Sequence, residues 1–123
     1  MDKHVVPAIS PFADAVGYSR AVRDGQHIYV AGTAPIGCDS QDPYEQAKRC
    51  LAIIVAALRE LGAGPEHVVR TRHIITDVTD AEAIGRAHGE VFGEVRPAST
   101  MLVVAALLDP AWKVEIEADA VLE

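Results

Sequence analysis

An apolar run near the C-terminus, Thr100 to Leu108, constrains the fold of this chain more than any other stretch. Pro97 precedes it and Asp109-Pro110 follows it, and these turn signals indicate a strand between them. A strand that is apolar on both faces must be covered on both faces. We therefore expect one face to pack on the protein's own helices and the other to contact another subunit.

The next stretch, Lys113 to Val121, alternates instead of running apolar. One set of side chains is apolar and the other is acidic, which predicts a strand with one buried face and one polar face. We expect the two strands to form a C-terminal hairpin across the Asp109-Pro110 turn. The acidic face holds the best acid–base candidates in the chain, which are Glu115, Glu117 and Asp119.

Two further strands and a helix are predicted in the first half. Tyr18 to Val22 and His27 to Gly32 flank an Asp24-Gly25 turn, which is typical of a hairpin. Asp42 followed by Pro43 predicts a helix start, with Asp42 as the N-cap. Apolar residues then recur every three or four positions until Gly62, at Ala47, Cys50, Leu51, Ile54, Leu58 and Leu61.

A strand and a second helix follow, over His67 to Thr76 and from a predicted capping box at Thr79 to about Phe92. Gly85 and Gly89 inside this helix indicate close packing. With the first eleven residues irregular or an edge strand, the order is β-β-α-β-α-β-β. This order predicts one α+β domain over residues 1–123, a mixed sheet with two helices on one face.

Composition limits the function classes. The net charge of −7 disfavours nucleic acid as a partner, because phosphate contacts need clustered Lys and Arg. The sequence contains neither a signal layout nor a membrane-length apolar run, and its two cysteines form no disulfide framework, so we expect a cytoplasmic protein. No His and Cys spacing is typical of zinc, and we expect neither a metal nor a cofactor.

Several blocks of the sequence resemble the RidA/YjgF family, also called L-PSP or YER057c-type proteins. They occur in order from about Gly17 to Val121: G-Y-S-R-A-V, Y-V-A-G-T-A-P, D-P-Y-E-Q-A-K-R-C-L, V-V-R-T-R-H-I-I-T-D, V-F-G-E-V-R-P-A-S-T and V-E-I-E-A-D-A-V. The resemblance implies a chorismate-mutase-like fold and a homotrimeric barrel with clefts between subunits. It also implies a small-molecule substrate, such as a reactive imine or enamine that is hydrolysed to a keto acid and ammonia.

The resemblance assigns catalytic roles to two residues that are kept. Tyr18 stands at the tyrosine of the family's Y-S-x-A block, and Glu115 stands at the glutamate that positions the attacking water. Gly32, which follows the family's cleft-lining serine, is also kept. The substrate-binding positions that the resemblance points to, or that lie beside them, are Ala31, Gly32, Gly85, Arg72, Arg96, Ser99, Thr100 and Met101.

This chain departs from the family at the substrate clamp. Ser99 stands where the family has the arginine that holds the substrate carboxylate. A guanidinium binds a carboxylate by two charge-assisted hydrogen bonds, and serine offers neither the charge nor the second donor. Arg72 and Arg96 are the candidate substitutes. Ala31 and Gly85 also replace a family serine and asparagine, respectively.

Two function classes remain open from the sequence. The first is a hydrolytic deaminase whose substrate lacks the usual carboxylate or presents it elsewhere, with Glu115 acting on the water. The second is a non-catalytic, small-ligand-binding or chaperone-like trimer. The net charge disfavours a third class, the ribonucleases from which the L-PSP name derives.

Overall fold

The computed structural model describes residues 3–123, and its strands form one six-stranded sheet. The strand order is β1-β2-β3-β6-β4-β5, and every neighbouring pair is antiparallel except β4 and β5, which are parallel. The elements are β1 (Lys3–Val6), α1 (Ala13–Val16), β2 (Ala21–Asp24), β3 (His27–Thr33), α2 (Pro43–Glu60), β4 (Val68–Ile75), α3 (Ala81–Phe92), β5 (Ala98–Val103) and β6 (Val114–Val121). The predicted α+β class and mixed sheet are confirmed.

The predicted C-terminal hairpin is wrong. β4 lies between β5 and β6 and pairs with both of them, so the last two strands never pair with each other. The apolar run also leaves the sheet early, because β5 ends at Val103 and residues 104–113 form a connecting loop. Hydrophobicity predicts that a strand forms here, but it does not identify the strand's neighbour.

The helix α2 covers the sheet as its sequence predicts. The Asp42 carboxylate accepts a hydrogen bond from the Tyr44 backbone N–H at 3.1 Å, and the chain leaves the helix through Gly62 at φ +86°. All six residues of the predicted apolar stripe are buried, and α2 packs on β3, β6 and α3. The core therefore lies between the two long helices and one face of the sheet.

The start of α3 differs from the predicted capping box. Thr79 caps no helix. Asp77 caps a short 3₁₀ turn over Val78–Asp80 by accepting from the Thr79 backbone N–H at 2.9 Å, and Asp80, the N-cap of α3 itself, makes no side-chain capping bond. The close packing predicted at the two helix glycines is also wrong. A Cβ at Gly85 or Gly89 would meet no atom within 4 Å, so this side of α3 is uncovered in the single chain.

Alternation along β6 positions the acidic residues as predicted. Val114, Ile116, Ala118 and Ala120 are buried towards the helices, while Glu115, Glu117 and Asp119 are half-buried on the opposite face. We call this opposite face the open face of the sheet.

Candidate functional site

Glu115 lies in a cleft of about 370 Å³ between the N-terminal segment and the end of β3. Tyr18, Ala31 and Gly32 line the same cleft, together with apolar side chains that include Phe12 and Trp112. Three larger clefts, of about 400, 440 and 620 Å³, are also present in the described part of the chain. Tyr18 and Ala31 also line the cleft of about 400 Å³, and no sequence-predicted site residue lines the other two. The structure thus brings four of the predicted residues together around one carboxyl group.

Gly32 leaves room for the carboxyl group of Glu115. A Cβ at position 32 would lie 2.9 Å from Glu115 Oε1, closer than real Cβ contacts allow, so another residue here would shift the carboxyl group. Burial raises the pKa of Glu115, and the neighbouring Glu117 adds to the rise, while the positive charge of Arg20 opposes it. Such a carboxyl group is suited to exchanging protons with a bound water.

Arg20 also lines this cleft, although the sequence analysis assigned it no role. Its side chain is only 3% exposed, and Nη2 donates a hydrogen bond of 2.6 Å to the Gly32 carbonyl. Its Nε is buried and has no partner among residues 3–123. Burial lowers the pKa of Arg20, against the attraction of Tyr18 and Glu115. A buried cation therefore faces the cleft and fixes the backbone beside Glu115.

A signal for Arg20 was present in the sequence. Arg20 stands directly before the apolar residues Ala21 and Val22. It therefore places a charge at the start of a strand whose other residues are suited to burial. Charged residues are almost never fully buried unless they are paired, so such a position indicates either a surface or a site.

The two arginines that the sequence offered as substitutes lie outside the cleft. Arg72 Nη1 contacts Glu117 Oε1 at 2.8 Å and Asp119 Oδ2 at 4.0 Å, so its charge is balanced on the open face. Thr100 is its register partner on β5. Arg96 is exposed, has a positive φ of 57°, and lines a small cleft beside α3 with His88.

Ser99 is not near Glu115 within one chain. Ser99 pairs with Thr71 on β4 and Glu115 pairs with Ile74, so the two residues are two strands and three positions apart, roughly 14 Å. They also face opposite sides of the sheet, because Ser99 Oγ accepts a hydrogen bond from Thr71 on the helix side. Met101 lies on that side too, and Gly85 lies on α3.

The predicted residues therefore fall into separate groups. The group around Glu115 is the Glu115 cleft, and it comprises Tyr18, Ala31, Gly32 and Glu115, with Arg20 added by the structure. The group beside α3 and β5 is the Ser99 cluster, and it comprises Ser99 with Thr71 and His88. Near the Ser99 cluster lie Gly85 on α3, Met101 on β5, and Arg96 beside His88. On the open face lie Arg72 and Thr100.

Residues 3–123 contain neither a metal-ligand cluster nor a membrane-length apolar helix. No three His, Cys, Asp or Glu side chains are grouped so that they could hold a metal ion. Within the same range, every helix is too short or too polar to cross a membrane.

Comparison with known proteins gives the same family along the whole chain. The family model described as endoribonuclease L-PSP matches residues 8–122. An uncharacterized protein of Streptomyces coelicolor is 41% identical over 115 residues, which are 90% of this chain and 86% of that protein.

Solved structures agree with this match. The crystal structure of a Mycobacterium tuberculosis member of the YjgF/YER057c/UK114 family has a TM-score of 0.92 and 41% identity, covering 98% of this chain and all of that one (100%). The crystal structure of Escherichia coli TdcF with bound serine has a TM-score of 0.82 and 26% identity, covering 97% of this chain and 94% of that one.

Proposed function

The chain belongs to the RidA/YjgF family, also described as endoribonuclease L-PSP, and from this membership we propose that it is a hydrolytic deaminase of small imines or enamines. The observation that carries the proposal is the half-buried Glu115, which shares a cleft with Tyr18 and a buried arginine. The proposed compartment is the cytoplasm.

The proposed reaction adds water to a C=N bond. Glu115 takes a proton from the water as its oxygen attacks the imine carbon, and it passes this proton to the nitrogen to give a carbinolamine. Glu115 then takes the hydroxyl proton of the carbinolamine and passes it to the nitrogen, so that C=O forms and ammonia leaves as the C–N bond breaks. The products are a carbonyl compound and ammonia, and the atoms balance with water as the only co-reactant. Removal of bulk water by the apolar cleft walls strengthens the contacts of Glu115 with the substrate. Tyr18 is the second hydrogen-bonding group in reach of the cleft.

The proposed assembly is a homotrimer, with the site completed between subunits. Within one chain the Glu115 cleft and the Ser99 cluster are far apart, so a second copy is needed to bring them together. The uncovered side of α3 and the partly exposed β5 support this arrangement. Ser99, Thr100 and Met101 would then contact a substrate held in the neighbouring Glu115 cleft.

The proposed substrate differs from the usual one of the family. Ser99 cannot clamp a carboxylate as the family arginine does, and Arg72 is already paired with Glu117. Arg96 and Arg20 are the remaining cations near the two groups. We expect slow hydrolysis of 2-aminoacrylate by the wild type, and Ser99→Arg to increase it.

Glu115→Gln tests the catalytic role. The variant keeps the shape of the side chain and removes the proton acceptor, so we expect turnover of an imine substrate to fall about 100-fold or more. Asp119→Asn on the same face of the same strand is the matched control, since Asp119 does not line the cleft. Unchanged turnover in Glu115→Gln, with a substrate that wild type hydrolyses, would refute the assignment.

A non-catalytic small-ligand carrier is the second candidate. The bound serine in TdcF supports ligand binding in proteins of this fold, and the loss of the clamp supports a change of function. Ligand-dependent protection of the cleft without turnover of any imine would favour this candidate. We do not propose ribonuclease activity, because the net charge of −7 opposes RNA binding.

A further inference from the structure

A chain of hydrogen bonds connects α3 to the edge strand β5. Ser99 and Thr71 face each other in the parallel pairing of β5 and β4, and their hydroxyl oxygens are 2.8 Å apart. Thr71 Oγ1 is also 2.8 Å from His88 Nε2. Thr71 is buried, whereas Ser99 is exposed, so the chain runs from the protein interior to the surface.

The proton count links the direction of the chain to the tautomer of His88. A threonine hydroxyl has one proton, so Thr71 donates either to Ser99 Oγ or to His88 Nε2, and we take Ser99 Oγ as its acceptor. The Thr71 oxygen must then accept from His88, which requires the proton of the imidazole to be on Nε2. In this arrangement His88 donates to Thr71, and Thr71 donates to Ser99. The hydroxyl proton of Ser99 is then free to be donated to an acceptor outside the protein.

His88 is neutral in this arrangement. Burial lowers the pKa of His88 to about 4, and the nearby His73 contributes to the decrease. The two rings are 4.6 Å apart between centroids, and His73 is only 2% exposed with its Nδ1 3.3 Å from the Thr100 carbonyl oxygen. His73 Nε2 is buried and has no partner in the described part of the chain. The contact between the His73 and His88 rings therefore holds the hydrogen-bond chain in place without adding a charge to it.

The space beside this chain is open. A cleft of about 320 Å³ lies at the C-terminal end of α3 and is lined by His88, Gly89, Phe92, Gly93, Arg96 and Pro97. Phe92 packs against the His88 ring, with centroids 4.8 Å apart. Ser99 does not line this cleft, but it is exposed, so a small molecule can reach the end of the hydrogen-bond chain there.

We infer that the Ser99 cluster binds a neutral acceptor oxygen of a small ligand, such as an amide or ketone carbonyl, in place of a carboxylate. The inference rests on the proposed function, for which it names the substrate class. A carboxylate loses much of its hydration on binding, and one neutral donor does not compensate for that loss. A neutral carbonyl loses less hydration on binding. It also gains a hydrogen bond from Ser99, which the hydrogen-bond chain through Thr71 and His88 polarises.

Pyruvamide and pyruvate provide the test, because they differ only in the amide and carboxylate groups. Ligand-detected NMR with the wild-type protein should give an affinity about tenfold higher for pyruvamide, the scale of one good hydrogen bond. Ser99→Ala and Thr71→Val should remove the preference, and the matched Thr71→Ser variant should retain it. Ser99→Arg should reverse it in favour of pyruvate.

Arg96, three residues before Ser99 in the chain, is the rival explanation. If the wild type prefers pyruvate and Arg96→Gln removes that preference, the site is an anion site and the inference is wrong. Absence of pyruvamide binding to the wild type would also overturn it. These results are independent of the proposed reaction, because neither probe is an imine and no turnover is measured.

The tautomer of His88 gives a second readout that does not depend on any ligand. Imidazole ¹⁵N chemical shifts of the wild-type protein should identify a proton on Nε2 and none on Nδ1. The opposite tautomer would make Ser99 an acceptor and would contradict the direction of the chain.

Discussion

Arg20 and Glu115 both lie against Gly32. Because the two side chains are this close, the charge of Arg20 affects the pKa of Glu115. The Arg20 charge lowers the pKa of Glu115 against the effect of burial. We predict that Arg20→Gln raises the pKa of Glu115 further, so that the pH at which activity rises moves upwards. Carboxyl ¹³C titration of Glu115 measures the shift directly.

Arg23→Gln is the control for this prediction. Arg23 is also an arginine of the same region, but its Nη1 donates to the Leu61 carbonyl at 2.8 Å and it does not line the Glu115 cleft. An equal shift of the Glu115 titration in both variants would mean that Arg20 acts only through net charge.

His88 gives a stability prediction with a definite sign. Its folded pKa of about 4 is below the ordinary value of 6.5, so the unfolded chain binds protons more readily between these values. The stability contributed by the neutral ring is present above pH 6.5 and is lost as the pH falls through about 4. We predict a decrease of about 1–2 kcal/mol in the free energy of unfolding, with allowance for partial exposure.

Urea denaturation at several pH values measures this effect. The comparison is with His88→Gln, in which the contribution of this titration is absent and the slope between pH 6 and 4 should be shallower. Identical slopes in both proteins would mean that other groups, such as His73, account for the pH dependence.

Gln46 joins α2 to the loop that precedes β6. Its side chain is 1% exposed, accepts from the Lys113 backbone N–H at 2.8 Å, and donates to the carbonyls of Ala111 at 3.0 Å and Ser40 at 3.1 Å. We predict that Gln46→Ala lowers the free energy of unfolding by about 3 kcal/mol, because buried partners lose their hydrogen bonds. The same loop carries Trp112 of the Glu115 cleft, so ligand binding should weaken as well.

Asp42→Ala is a matched control on the same helix. It removes one exposed capping bond and should cost about 1 kcal/mol. If Gln46→Ala were no more destabilising than Asp42→Ala in urea, the loop would not depend on Gln46.

Local signals predicted most elements of the fold, and their partners were harder to predict. The Asp24-Gly25 signal predicted the β2–β3 hairpin, but β2 covers Ala21–Asp24 instead of the predicted Tyr18 to Val22, and the turn residues are Gly25 and Gln26. Asp42 and Gly62 predicted the limits of α2, because caps and turns depend on neighbouring residues. The position of β5 beside β4 depends on the crossover through α3, which no local pattern encodes. The alternation of residues along β6 predicted the face of the sheet on which Glu115 lies. The cleft around Glu115 could not be predicted in this way, because Arg20 and Trp112, which line it, are distant from each other in the sequence and meet only in the folded chain.

Assembly is the prediction that concerns the complete molecule. We predict a trimer with a light-scattering mass close to three times 13.1 kDa. Val103 is 52% exposed in the single chain, so Val103→Asp should not harm an isolated subunit. If β5 is covered by another copy, the aspartate is buried there and the trimer should dissociate.

The control is Val78→Asp, since Val78 is 67% exposed and lies in the 3₁₀ turn before α3. A monomeric mass for the wild type that persists on dilution would refute the assembly. Dissociation by both substitutions would mean that β5 is not the specific contact.

The central position of β6 affects how the fold forms. β6 follows β3 and β4 in the chain, yet it pairs with both of them and joins the two halves of the sheet. Until β6 has paired, β3 and β4 each expose an unpaired edge, and such edges promote association with other chains. The folding chain is therefore most prone to association before β6 pairs, and a chain without β6 would form two half-sheets.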